Sequence, residues 1–444
     1  MLKIKWEKVI PVIFLLFASF IIGFITPDVR ANGIKDVVAS VQLIPQRMEA
    51  AISNEKPSTA GKLEVIDTYS TILDKLKTDY YYGPINEQEV TYDAIRGVLS
   101  SLGDPYTRFM DPDEYKKMRE DNEGNFTGIG ARLDTNKNNE VFIKEPMENT
   151  PAMEIGIKSN DVILAVDDKS IAGMDIEEVV KMIRGPEGTK VKLTIRRPGV
   201  EKPIDFVITR KIVEYPIVKY DLIDKENKIG YLRLYQFNEK SDTQVNSALD
   251  DLDNKKIEGL VFDLRGNPGG LLNVAIDISS RFVDSGPVVI IQERGGQRRT
   301  HNVNTQKHNH RKYPVVVLVD KRSASASEIV SGAIKESNSG TIVGTTTFGK
   351  GRVQSVMQLK DGSAVAITTA KYLTPAEHDI HHKGIEPDYY IESNDDYDPN
   401  DYSTDIQLMR AIDVLKVKMG LLPKTAIDDM KKPIETAKNI KINS

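Results

Sequence analysis

Five small residues, Ser323-Ala324-Ser325-Ala326-Ser327, lie between an apolar run ending at Asp320 and a helix-forming stretch that begins near Glu328. At a strand-to-helix junction a hydroxyl can project from a tight turn while the first N–H groups of the helix face an incoming oxyanion. Serines are also favoured helix N-caps, and both Ser325 and Ser327 fit that plainer role. A serine attacks a carbonyl only when a base removes its proton, and histidine is scarce: His301, His308, His310, His378, His381 and His382 all fall in polar segments that read as loops. Lys350 is the better base. It sits in Gly344-Thr345-Thr346-Thr347-Phe348-Gly349-Lys350-Gly351, just after an apolar strand, where the Phe348 ring can exclude water. To accept a proton it must be neutral, far below its ordinary pKa of about 10.4, which calls for burial without an acidic partner. Gln354, on the same side of the following strand, offers the amine a neutral hydrogen bond.

A third segment, Asp263-Leu264-Arg265-Gly266-Asn267-Pro268-Gly269-Gly270, follows an apolar strand and opens a helix. Its Gly269 and Gly270 expose backbone N–H groups, so one of them can serve as an oxyanion donor beside the N–H of Ala326. A structural turn is the plainer account of the same glycines. The octet around Lys350 also nearly spells a nucleotide-binding loop, but Gly351 stands where Ser or Thr would ligate magnesium, and Val353-Gln354-Ser355-Val356-Met357 reads as a strand where a helix is required. The stretch His378-Asp379-Ile380-His381-His382 lacks the helical setting and further ligand of a metal site. Neither a cofactor nor a metal is expected.

Positioning these groups requires more than one core, because 444 residues with 40% hydrophobic content exceed a single ordinary domain. Apolar strands at 230–234, 259–264, 315–319 and 341–343 alternate with helical stretches at 271–282 and 328–334, which predicts an α/β core with a mixed, partly parallel sheet. Residues 125–210 break into short β-rich runs with one helix over 175–183, ended by Arg184-Gly185-Pro186. Helical spacing marks 63–81 and 92–102, and again the residues beyond Asp405, while 293–312 reads as a solvated loop. The net charge of −5 gives no reason to expect nucleic acid, and the absence of cysteine excludes disulfides and thiolate chemistry. At the N-terminus Lys3, Lys5 and Lys8 precede an apolar run from Val9 to Ile25, the pattern of an export signal or a membrane anchor, with Val29-Arg30-Ala31 as a cleavage site.

Taken together and in this order, the motifs resemble the C-terminal processing peptidases, or tail-specific proteases. The match includes the serine segment running into Glu328-Ile329, Gly349-Lys350-Gly351 with Gln354, the Asp263 to Gly270 turn, and Lys383-Gly384-Ile385-Glu386-Pro387-Asp388. Ala376-Glu377-His378-Asp379 departs from the commonest family pattern. The resemblance implies an extracytoplasmic serine endopeptidase with Ser325 as nucleophile, Lys350 as base and Gln354 in support. It implies that Gly128-Ile129-Gly130-Ala131 is the carboxylate-binding loop of an inserted PDZ domain, which captures the C-terminal tails of protein substrates by strand addition. Arg184, at the end of the PDZ helix, is then placed to report PDZ occupancy to the protease core. A solvated arginine at a helix C-terminus is the simpler alternative. The expected organisation is a signal peptide or anchor over 1–31, a helical region over 60–110, the β-rich PDZ domain with its helices over 111–212, the α/β protease core over 213–395, and a helical region over 396–444. A homodimer and membrane association through the N-terminal segment are further expectations. The competing reading is a noncatalytic, membrane-tethered PDZ scaffold.

Overall fold

The computed structural model describes residues 59–214, 217–307, 311–394 and 401–430. The signal or anchor segment 1–31, His308, His310 and the lysine-rich tail lie outside them. Among the described residues, no helix is long and apolar enough to cross a membrane. The chain divides into two compact units, 1–91 and 92–444. In the first, α1 (Thr59–Asp79) leads into α2 (Glu87–Ser100), which crosses the boundary. Tyr69 donates to Thr91 Oγ1 at 2.9 Å and ties the two helices together.

In the second unit, β1 (Arg108–Met110) falls at the end of the segment read as helical and pairs with a long strand near the C-terminus of the core. Next comes α3 (Pro112–Glu123), capped by Asp111, whose carboxylate accepts from Glu114 N while Glu114 reaches back to Asp111 N. The β-rich region then forms from the short runs read in its sequence. A short ladder of β2 (Asn125–Gly128) with β9 (Lys211–Glu214) closes its base. Above it β3 (Ala131–Thr135), β4 (Val141–Pro146), β5 (Val162–Val166), β7 (Lys190–Arg196) and β8 (Ile204–Thr209) make one antiparallel sheet, with the two-residue β6 (Lys169–Ser170) on β5. Two helices complete the region, α4 (Pro151–Glu154) and α5 (Ile176–Ile183). Val179 and Ile183 of α5 pack with Ile143, Leu193 and Ile195 in a core separate from the rest of the unit.

The α/β core holds a six-stranded sheet of β10 (Val218–Asp224), β11 (Ile229–Leu234), β12 (Gly259–Asp263), β15 (Val315–Val319), β16 (Thr341–Gly344) and β19 (Tyr389–Tyr390). β10 is antiparallel and the others parallel, so the sheet is mixed. Its strands are apolar on both faces because helices cover both. Leu232, Phe262, Val317 and Ile342 pack towards α6 (Ser241–Asn254), α7 (Leu272–Ser279) and α8 (Ala326–Glu336). Tyr231, Val261, Val316 and Val343 meet Leu408, Ala411 and Leu415 of α9 (Ile406–Lys418), so this C-terminal helix belongs to the core. A second, antiparallel sheet contains β1, β13 (Pro287–Glu293), β14 (Arg298–Asn302), β17 (Arg352–Gln358) and β18 (Ala364–Leu373). Here the reading of 293–312 as a loop is corrected: β14 pairs with β13 from Arg298 to Asn302 and carries His301. Four of its five residues are exposed, so the strand has no apolar alternation to reveal it.

Candidate active site

Each strand of the parallel sheet ends in a turn, and three of those turns meet. Asp320, at the end of β15, accepts from Gly266 N at 2.9 Å, and Ala324 N donates to Asn267 O at 3.1 Å. Phe348 N donates to Ser323 O at 3.0 Å and brings in the turn after β16. The serine segment is therefore sewn to the turns that carry Gly269 and Lys350.

The three serines of the segment are not equivalent. Ser323 Oγ donates to Leu264 O and Ser327 Oγ to Asn267 O, each at 2.9 Å, and both side chains are fully buried. Ser325 is half-buried, and among the described residues its hydroxyl has no acceptor for its proton. Its backbone lies at φ 54°, ψ −113°. For a residue with a Cβ this conformation costs about 1–3 kcal/mol and persists only where the surroundings over-determine it. The turn sets Ser325 at the head of α8 and leaves the Ala326 N–H, the first of the helix, without an acceptor among the described residues.

Glu328 supplies that over-determination, a role the sequence reading did not assign to it. It is fully buried, and its carboxylate accepts from Ser325 N at 2.9 Å, Lys350 N at 2.9 Å, Gly349 N at 2.7 Å and Thr347 Oγ1 at 2.6 Å. Tyr372 OH points at the same carboxylate from 3.4 Å and donates to Ser325 O at 3.2 Å. Ser325 N and Lys350 N share one oxygen, Oε2, so the two backbones lie within two hydrogen-bond lengths of each other. The signal that would have found Glu328 is its place three residues after Ser325, the capping-box position.

Gly269 abuts the serine turn. A Cβ on it would lie 2.8 Å from Ser325 Cβ and 2.9 Å from Ala326 N, and its φ is +99°, so no side chain fits there. The Gly269 N–H is committed to Asn267 Oδ1 at 2.9 Å. The next N–H, that of Gly270, has no acceptor among the described residues, so Gly270 and Ala326 carry uncommitted donors on the two turns that meet at Gly269 and Ser325.

Lys350 is half-buried, and among the described residues its Nζ makes no hydrogen bond and no ion pair. Burial is the largest influence on the amine and, with the Arg108 charge, holds it below the ordinary lysine value; Glu328 and Asp104 pull the other way. The chain from His382 to Asp388 braces this turn, since Gly349 O accepts from His382 N and Thr347 Oγ1 from Ile385 N. A Cβ on Gly349, at φ +85°, would sit 2.9 Å from Lys383 N. Phe348, cast as a water-excluding ring, is 55% exposed, which leaves that role to another side chain. Gln354 follows a β-bulge between Val353 and Gln354, and its amide donates to Thr368 Oγ1 at 3.4 Å and not to the amine.

The proposed carboxylate loop lines a separate groove of about 450 Å³. Gly128, Ile129, Gly130 and Ala131 form one wall, and Ile176, Val180 and Arg184 of the α5 end form the other. The loop carbonyls are used inside the domain: Ile129 O accepts from Ala152 N, and Gly130 O from Met147 N and Thr150 Oγ1. The N–H groups of Ile129 and Gly130 have no acceptor among the described residues. Arg184 donates to Glu120 Oε2 on α3 at 3.1 Å and lies 5.0 Å from the centre of the Phe126 ring. Among the described residues no three His, Asp or Glu side chains gather as metal ligands, and His378 instead pairs with Glu336 at 2.8 Å.

Two family models match the chain, Peptidase family S41 over residues 228–391 and PDZ domain over 142–197. The carboxyl-terminal-processing protease of Synechocystis sp. is 35% identical over 79% of this chain and 83% of its own length. The carboxy-terminal processing protease CtpA of Bacillus subtilis is 35% identical over 84% of this chain and 81% of its own. This chain belongs to peptidase family S41. Among solved structures, a photosystem II D1 C-terminal processing protease is 31% identical, with a TM-score of 0.45, over 76% of this chain and 89% of that one. As an S41 peptidase the chain is a serine protease of the C-terminal processing kind, with a PDZ domain that binds peptide, and the mixed-sheet core with its inserted β-rich domain is the expected fold.

Proposed function

We propose that the protein is an extracytoplasmic endopeptidase that captures protein C-terminal tails in its PDZ groove and cleaves near them with a Ser325/Lys350 pair. The observation that carries this reading is Ser325, the one serine of its segment whose hydroxyl donates to nothing among the described residues, on a strained turn that shares one buried carboxylate with the backbone of Lys350. Neutral Lys350 takes the proton of Ser325 Oγ as the oxygen attacks the peptide carbonyl. The negative oxygen of the tetrahedral intermediate is met by the N–H groups of Ala326 and Gly270. The Lys350 ammonium gives its proton to the leaving nitrogen, the C–N bond breaks and an ester to Ser325 remains. Water then attacks the ester, its proton passes to Lys350, and the serine leaves protonated. Gln354 supports the amine if its side chain turns from Thr368 during turnover.

Tail capture uses the groove already described. A peptide carboxylate meets the N–H groups of Ile129 and Gly130, and its last side chain enters between the loop and Val180. The exposed apolar residues Val65, Ile66 and Ile72 of α1 support a homodimer, to be tested by sedimentation. The 1–31 segment supports export. Trp6 is the sole tryptophan, so tryptophan emission from protein purified out of membranes tests whether the segment is retained.

The decisive experiment incubates full-length protein and its Ser325→Ala variant with a peptide ending in apolar residues. Cleavage by the first and none by the second is expected. Cleavage by both removes the mechanism, and binding without cleavage by either favours the scaffold reading.

A further inference from the structure

The mechanism needs a dry amine, and the residue placed to keep it dry is not Phe348. We infer that Tyr106 is a positioning residue for the reaction: its ring covers Lys350 Nζ, keeps water from it and so preserves its base form. The inference rests on the Ser325/Lys350 reading. Lys350 Nζ lies 5.0 Å from the centre of the Tyr106 ring. The His381 ring is also near, its centroid 6.0 Å from that of Tyr106 and its plane tilted by 59°.

Backbone and not hydroxyl holds the ring in place. Asp104 accepts from Tyr106 N at 3.0 Å and from Thr107 Oγ1 at 2.7 Å, an Asx turn that fixes the residue between them. Thr368 N donates to Thr107 Oγ1 at 3.0 Å and fastens the turn to β18. Among the described residues the Tyr106 hydroxyl makes no hydrogen bond. The part of the side chain in use is therefore the ring.

Two effects of such a ring oppose each other. Its electron-rich face favours the ammonium, whereas the water it displaces would have solvated that ammonium. The charged groups around the pair are Arg108 on β1, Glu328 on α8, Asp104 in the turn and Arg352 on β17, with His381 beyond. Burial is the largest influence on Lys350, and a ring lying over its Nζ adds to that burial.

The test compares the pH dependence of kcat/KM for full-length protein carrying Tyr106→Phe, Tyr106→Leu and Tyr106→Ala, with a tail peptide as substrate. Tyr106→Phe is expected to leave the acid limb in place. Tyr106→Ala is expected to move it up by about one pH unit and to lower kcat near neutrality about tenfold, with KM changed less than about twofold. Tyr106→Leu is expected to shift the limb the same way by less, and it decides the question if the alanine variant does not fold. A limb that stays fixed while kcat falls at every pH, a limb that moves down, or a phenylalanine variant as damaged as the alanine variant overturns the inference. Retained cleavage by Ser325→Ala or Lys350→Met overturns the underlying mechanism instead, so the two failures are distinguishable.

Discussion

The PDZ groove and the serine turn both present backbone N–H groups to an oxygen, but they are built differently. In the groove, the loop at Ile129 and Gly130 frees its donors by spending its carbonyls on Ala152 N, Met147 N and Thr150 Oγ1, all neutral partners. In the serine turn, Ser325 takes a strained backbone conformation, and a buried carboxylate collects donors from that turn and from the turn carrying Lys350 to hold it. A recognition loop can shift by a few tenths of an ångström and lose a little affinity. A nucleophile that shifts as far loses its attack geometry, so the catalytic turn is fastened from more sides.

The largest expected effects break the catalytic side alone. Ser325→Ala and Lys350→Met should each lower cleavage of a tail peptide by about 10⁴-fold or more, as loss of a nucleophile or its base does elsewhere. Binding of the peptide to the groove, followed by anisotropy, should not change. Lys350→Met should also melt a few degrees higher, because the native state no longer has to shelter an amine from water. The sign follows from the depressed lysine. The unfolded chain binds this proton more readily than the folded one, so the group's contribution to stability falls as pH drops from the unfolded pKa towards the folded one. Activity, which needs the neutral amine, rises with pH through the folded value, and that value should lie below the ordinary lysine range.

Glu328→Gln should come next. The amide presents two hydrogens to a site lined with N–H donors, so the change is expected to cost about 3 kcal/mol of stability and about 10²-fold in kcat. Thermal melting and steady-state kinetics measure the two. A Glu328→Gln variant that is fully active and no less stable would show that the strained turn stands without its clasp.

That clasp marks the limit of what the sequence made legible. The parallel strands and α8 were readable because buried strands are apolar throughout and the helix period is long. The Ser325 turn was readable as a place, but its three serines could be told apart only once Ser323 and Ser327 were seen bonded to Leu264 O and Asn267 O. The capping-box position pointed to Glu328 as a cap, but its clasp on Gly349 and Lys350, like the place of Tyr106 over Lys350, depends on partners distant in the chain. The polar strand β14 was hidden because its residues face solvent.

On the groove side the effects should be smaller and should spare the chemistry. Val180→Asp places a carboxylate opposite the tail carboxylate and should raise KM for tail peptides about tenfold. The kcat for a short ester that cannot reach the groove should stay within about twofold. A fall in that kcat would mean that the groove and the turn are one mechanical unit and would blunt the contrast drawn between them.

The smallest expected effect falls on the connection between the two. Arg184 lines the groove and reaches Glu120 on α3, whose last turn is fixed to the core by the Glu239 N to Asn122 O bond at 2.9 Å. A tail carboxylate entering the groove competes with Glu120 for the guanidinium, and any loosening of that pair is felt by a helix anchored in the protease core. Arg184→Ala should therefore leave basal cleavage of a short substrate unchanged while reducing its stimulation by an added, uncleavable tail peptide, by about two- to fivefold. Glu120→Gln, which weakens the same pair from the other side without touching the groove, should shift basal activity towards the peptide-stimulated level. If both variants respond to the peptide as the parent does, Arg184 is only a solvated helix end and the groove works as a tether without a signal.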